Sequence, residues 1–125
     1  MDNLGIHYVS QIGVAPAEDP NWTQFGASTD EARVGIMLPT PEVPGIVMGL
    51  LQASAEASRQ LPPQDVLAAQ ALTIQRQLQN PVEAIGVRLA AEGDMLLVNV
   101  GVGTLAFKLT DAAKDELAQL CREIG

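Results

Sequence analysis

The chain has 125 residues, of which 47% are hydrophobic and 18% charged, a balance that fits one globular domain and excludes a disordered segment. Aromatic residues are only 3% of the chain, so the core must be aliphatic, and stacking platforms for bases or sugars are nearly missing. The formal net charge of −8 and the single spacing of Arg33, Arg59, Arg76, Arg88, Lys108, Lys114 and Arg122 argue against direct nucleic-acid binding and against an anionic membrane surface.

One cysteine, Cys121, cannot form an intrachain disulfide, and MDNLGIHYVS lacks a basic start followed by an apolar core. A cytoplasmic protein is the expectation. No run approaches the roughly 18 apolar residues that span a bilayer. The sequon Asn21-Trp22-Thr23 then has no secretory route to act through.

In chain order, Leu4 to Ser10 predicts a short strand, and a loop rich in Pro, Asp and Asn follows it through Pro16 and Pro20. Trp22 to Phe25 predicts a second strand ended by Gly26. Ser28-Thr29-Asp30-Glu31 imitates a helix capping box, but Ala32, Val34, Ile36 and Leu38 alternate with Arg33, Gly35 and Met37, which predicts a third strand. Three prolines punctuate PTPEVPG. Beyond them Val43, Ile46, Val47, Leu50 and Leu51 have helical spacing, and a start near Pro44 avoids placing a proline ring against a helical carbonyl.

The segment from Leu61 to Asn80 fits either a helix (Leu67, Ala71, Ile74, Leu78) or an alternating strand, and its Ala and Gln content favours helix. Ile85, Val87 and Leu89 alternate, Ala91-Glu92-Gly93-Asp94 turns, and Met95 to Val100 is a second apolar run. Leu105, Phe107 and Leu109 form the last strand. Thr110 opens a helix that groups Ala113, Leu117, Leu120, Cys121 and Ile124. The expected fold is therefore α+β, a single domain over 1–125. It has about five to six antiparallel strands, two to three helices packed on one face, and a possible degenerate βββα duplication.

Gly101, Gly103 and Ala106 match the spacing of a dinucleotide-binding turn. That turn requires a helix to begin within the glycines, so that its amides hold the pyrophosphate, and an acidic residue about 20 positions on. Here the alternation of Leu105, Phe107 and Leu109 continues and the sequence given stops at Gly125. Gly101 and Gly103 are read as flanking a tight turn or bulge, and no cofactor is expected.

His7 is the only histidine and stands far in sequence from Cys121, so no metal-ligand spacing is recognisable and no metal is expected. Cys121, on the apolar side of the last helix, is read as an inert packing group. No nucleophile elbow or comparable catalytic context is present, and no catalytic residue is named.

The segment PGIVMGLLQASAEAS carries a ridge of small side chains, Gly45, Gly49, Ala53 and Ala57, beside the bulky face of Val43, Ile46, Val47, Leu50 and Leu51. Two helical glycines cost about 1 kcal/mol each against alanine, so something is expected to approach the ridge closely. That neighbour is either the Leu67 segment or the last helix of the same chain, or a second subunit. The leading functional expectation is a noncatalytic protein-protein interaction or assembly module of bacterial style, homodimeric, with Gly45, Gly49, Ala53 and Ala57 as its interaction surface. Two alternatives stand beside it. One is an acidic inhibitor or decoy presenting Asp111, Asp115, Glu116 and Glu123 to a basic target. The other is a small-ligand domain or enzyme with a pocket near His7 between sheet and helices.

Overall fold

The structure is a computed structural model that describes residues 6–124. Along the chain run β1 (Gln11–Pro16), β2 (Trp22–Ser28), β3 (Arg33–Pro39), α1 (Val43–Ser58), α2 (Pro63–Gln79), β4 (Gly86–Ala90), β5 (Met95–Val100), β6 (Gly103–Lys108) and α3 (Asp111–Ile124). One-turn 3-10 segments occupy Thr40–Glu42 and Ala91–Gly93. The fold is α+β, and its six strands form two antiparallel sheets ordered β1-β2-β3 and β4-β5-β6. The chain divides into two compact units, Met1–Val43 and Pro44–Gly125. The order strand, strand, strand, helix thus occurs twice, ending once in α1 and once in α3.

In the first unit the register stacks Ile12, Ala27 and Val34 in one row and Val14, Phe25 and Ile36 in the next, so one face of the sheet is apolar. The other face carries the row Gly13, Gly26 and Gly35 between polar neighbours such as Gln24 and Arg33. The first strand differs from the sequence reading. Residues 6–10 are not strand, Leu4 and Gly5 lie outside the described residues, and the strand occupies Gln11–Pro16 instead. Alternation of Ile12 and Val14 drives that placement, and Pro16 is tolerated because β1 is an edge strand. Asp19 closes the β1-β2 turn by accepting the Asn21 backbone N–H on Oδ1 at 3.0 Å and the Trp22 N–H on its carbonyl at 3.1 Å. β2 continues through Gly26 to Ser28, beyond the end read from the sequence, because Gly26, Ala27 and Ser28 each pair with both β1 and β3.

The Thr29 hydroxyl explains the false helix signal in this unit. It accepts the backbone N–H groups of Glu31 and Ala32 at 3.3 and 3.2 Å, which makes the same chemistry that starts helices close the β2-β3 loop. At the far end of β3, the Thr40 hydroxyl donates to the Pro20 carbonyl at 2.8 Å and lies 3.1 Å from the Thr23 hydroxyl. The first bond ties the exit of β3 to the β1-β2 turn and the second ties it to the start of β2.

In the second unit β5 and β6 are joined by Gly101 and Val102 alone, with Val100 paired to Gly103. Gly101 has φ +51° while Val102 keeps a negative φ, the pattern of a type II′ turn with glycine first. The turn reading of the glycines is therefore what the chain adopts. Across the sheet Val87, Val98 and Leu105 form one apolar row and Leu89, Leu96 and Phe107 the next. The segment left between helix and strand is the helix α2, introduced by Pro62 and Pro63 and closed at Asn80. α3 starts from Thr110, whose hydroxyl accepts the Ala113 N–H at 3.1 Å.

Among the described residues none is buried. A unit of this size normally hides more than half of the surface its unfolded chain exposes. Strand pairing supplies the closest backbone contacts within each of the two sheets. The sequence reading put Cys121 among packed apolar groups, and that is corrected: Cys121 is exposed, as are Leu120 and Ile124, while Ala113 and Leu117 are the half-buried members of that helix face.

Candidate interaction surfaces

The ridge on α1 is the first candidate. Gly45, Gly49, Ala53 and Ala57 are all exposed, and a Cβ built on Gly45 or Gly49 meets nothing within 4 Å. The neighbour expected from the same chain, α2 or α3, does not lie against the glycines. The adjoining bulky face is mixed, with Val43, Val47 and Met48 half-buried but Ile46 exposed and Leu50 65% exposed. At the C-terminal end of α1 Arg59 pairs with Glu56 at 2.6 Å, an exposed ion pair one turn apart.

A second surface lies beside α3. Leu89, Glu92, Gly93 and Leu109 face Lys114, Leu117, Ala118 and Cys121 across a shallow groove of about 280 Å³. The loop at its edge is unusual, because Ala91 at φ 51° and Glu92 at φ 58° both take the left-handed conformation ahead of Gly93 at φ 94°. Asp94 holds that loop to α3. Its carboxylate accepts from the Lys114 ammonium, and its backbone carbonyl accepts the Leu109 N–H at 2.9 Å. The hydrogen bond and charge of Lys114 lower the Asp94 pKa below its ordinary 3.8, and Asp94 in turn raises Lys114 above its ordinary 10.5.

The carboxylates read from the sequence as a decoy surface, Asp111, Asp115, Glu116 and Glu123, are all on α3 and all exposed. Asp111 is one turn from Lys114, at 3.9 Å, so the lysine answers two carboxylates at once. Glu116 and Glu123 line a separate shallow depression with Gln119 and Leu120.

His7 is exposed and sits in a depression with Ile6, Tyr8, Thr29, Asp30 and Glu31, at the β2-β3 loop of the first unit. Among the described residues no group of three or more His, Cys, Asp or Glu side chains is placed to hold a metal ion. Within the same residues no helix is long and apolar enough to cross a membrane. No protein-family model, curated protein or solved structure matches this chain.

One surface escaped the sequence reading. α2 exposes almost every residue, including Leu67, Leu72, Ile74 and Leu78. The helical spacing of Leu67, Ala71, Ile74 and Leu78 was the available signal. Periodicity places those side chains on one stripe but says nothing about whether the chain covers it.

Proposed function

We propose that the chain is a noncatalytic cytoplasmic assembly module that acts through protein contacts, first of all with a second copy of itself. One observation carries this reading: the small-residue ridge of α1 is open above Gly45 and Gly49 and is flanked by the exposed side chains of Ile46 and Leu50. Helical glycine is unfavourable unless a neighbour uses the close approach it permits. Exposed apolar side chains beside it supply the driving force for that neighbour to be protein. A self-complementary surface on a single chain closes as a two-fold dimer.

The test is sedimentation equilibrium of the purified full chain and of Gly49→Leu. The reading expects a dimer at micromolar concentration and a weaker one in the variant, whose leucine fills the approach. A wild-type monomer at millimolar concentration refutes self-assembly, and an unchanged Gly49→Leu dimer removes the ridge from the interface.

A second reading draws on α3. All four of its outward carboxylates are exposed while its Lys114 is engaged by Asp94, which supports an acidic surface that docks on a basic target. Binding to an immobilised basic protein that weakens steeply with added salt would favour this reading. Salt-independent binding, or none, counts against it.

A further inference from the structure

We infer that Lys114 is a charge-dependent latch on the loop Ala91–Asp94: its ammonium holds a strained backbone against the groove beside α3, and neutralising it lets the loop spring open. The inference is independent of the self-association proposed above. Ala91 at φ 51° and Glu92 at φ 58°, ψ 32° are successive non-glycine residues in the left-handed region, which such residues visit singly when they visit it at all. A conformation of that kind persists only where neighbouring groups impose it, and it collects at switches and ligand clamps.

Packing does not impose it, since Ala91, Glu92 and Asp94 are all exposed. Three bonds at Asp94 do. Its N–H donates to the Ala91 carbonyl at 3.1 Å and closes the turn, its carbonyl accepts the Leu109 N–H at 2.9 Å, and its carboxylate accepts from Lys114. Only the last depends on a charge. Among the described residues no other cation forms an ion pair with Asp94, and Asp111, at 3.9 Å from the Lys114 nitrogen, belongs to α3 itself and cannot hold the loop.

Leu109 ties the loop to the groove, because it lines the groove with Glu92 and Gly93 and its N–H is bonded to Asp94. When the loop leaves the left-handed conformation, the wall of Glu92 and Gly93 moves off Leu117 and Cys121 opposite. The trigger is loss of the ammonium charge. Acylation of Nζ by a thioester donor supplies it: the ammonium gives up one proton to water, the amine nitrogen bonds to the acyl carbon as the C–S bond breaks, and the thiol leaves with a second proton. The Lys114 side chain is 37% exposed and so within reach of such a donor.

The test is amide hydrogen exchange, followed by NMR, on the full chain as wild type, Lys114→Arg, Lys114→Gln and Lys114→Gln with Glu92→Asn, glutamine standing for the acylated lysine. Lys, Arg and Gln are close in helix propensity, so α3 persists in each. Exchange at the Asp94 and Leu109 amides is expected to rise about two- to fivefold in Lys114→Gln, the span that an exposed ion pair controls, and to stay at the wild-type rate in Lys114→Arg. Adding Glu92→Asn should bring it back down, because asparagine adopts the left-handed conformation readily. Unchanged exchange in Lys114→Gln overturns the latch, and so does an equal rise at the amides of α1, which reports a general loosening of the second unit. A rise that Glu92→Asn leaves undiminished overturns strain as the spring.

Discussion

The ring of Pro44 covers the place where Gly103 would carry a side chain: a Cβ built on Gly103 stands 2.8 Å from Pro44 Cβ and closer still to its Cγ. Both groups are stiff, one a proline ring at the start of α1 and the other strand backbone, so neither yields cheaply. This contact fixes the N-terminus of α1 against the β5-β6 hairpin. Gly103→Ala is expected to lower the stability of the chain by about 1–3 kcal/mol, read as a fall in the urea midpoint at unchanged slope. Gly35→Ala, where nothing lies within 4 Å of the added carbon, is the control and is expected to be neutral or mildly stabilising. Equal losses in the two variants would show that the Pro44 contact is not what matters.

Glu92 stores backbone strain that glycine would relieve. Its φ of 58° and ψ of 32° lie in the left-handed region, where a side chain costs about 1 kcal/mol that glycine does not incur. Glu92→Gly should therefore raise the thermal midpoint, or at worst leave it level once the added freedom of the unfolded chain is included. Gly101→Ala, at φ +51° in the two-residue turn, should lower it. A destabilised Glu92→Gly would mean that the carboxylate itself holds the loop.

The Asp94–Lys114 pair sets the direction of the pH response. Asp94 is lowered in the folded chain, so its contribution is present above the unfolded value of 3.8 and fades as pH falls through the lower folded value. Lys114 is raised, so its contribution is present below 10.5 and fades only as pH climbs through the higher folded value. The pair is fully formed between those limits, and being solvent-exposed it adds little to stability. NMR titration of the Asp94 carboxyl should show a depressed pKa that returns to the ordinary range in Lys114→Met. An Asp94 titration indifferent to that substitution contradicts the pairing.

Cys121 is expected to react in the native chain. Its thiol is exposed at the rim of the groove beside Leu117 and Ala118, so a disulfide reagent at pH 8 should modify it within a few-fold of the rate seen in urea. Protection by orders of magnitude would place a partner, or another part of the chain, over the last turn and a half of α3.

Alternation made β3, β4 and β6 readable, because strands with one apolar face repeat every second residue, as Val34, Ile36 and Leu38 do, while β5 was read as a continuous apolar run. The turn at Gly101 was readable for a related reason: period two resumes at Leu105 where a nucleotide-binding helix would have to start. β1 was misplaced because Ala15 and Pro16 read as loop residues, and only the pairing of Pro16 with Thr23 at the edge of a sheet makes them strand. The exposure of Cys121 and of the α2 stripe lay beyond reach for a different reason. Spacing decides which side chains share a face, whereas what covers that face depends on elements distant in sequence or on another molecule. The same limit applies to the ridge of Gly45 and Gly49, whose spacing was plain and whose neighbour was not.

Sedimentation equilibrium of the wild-type chain over a wide concentration range tests the central claim, that exposed apolar helix faces are met by a second copy. The account predicts a reversible shift from one to two chain masses as concentration rises, favoured by added salt because two chains of net charge −8 repel each other less when screened. A single chain mass across the whole range would contradict it.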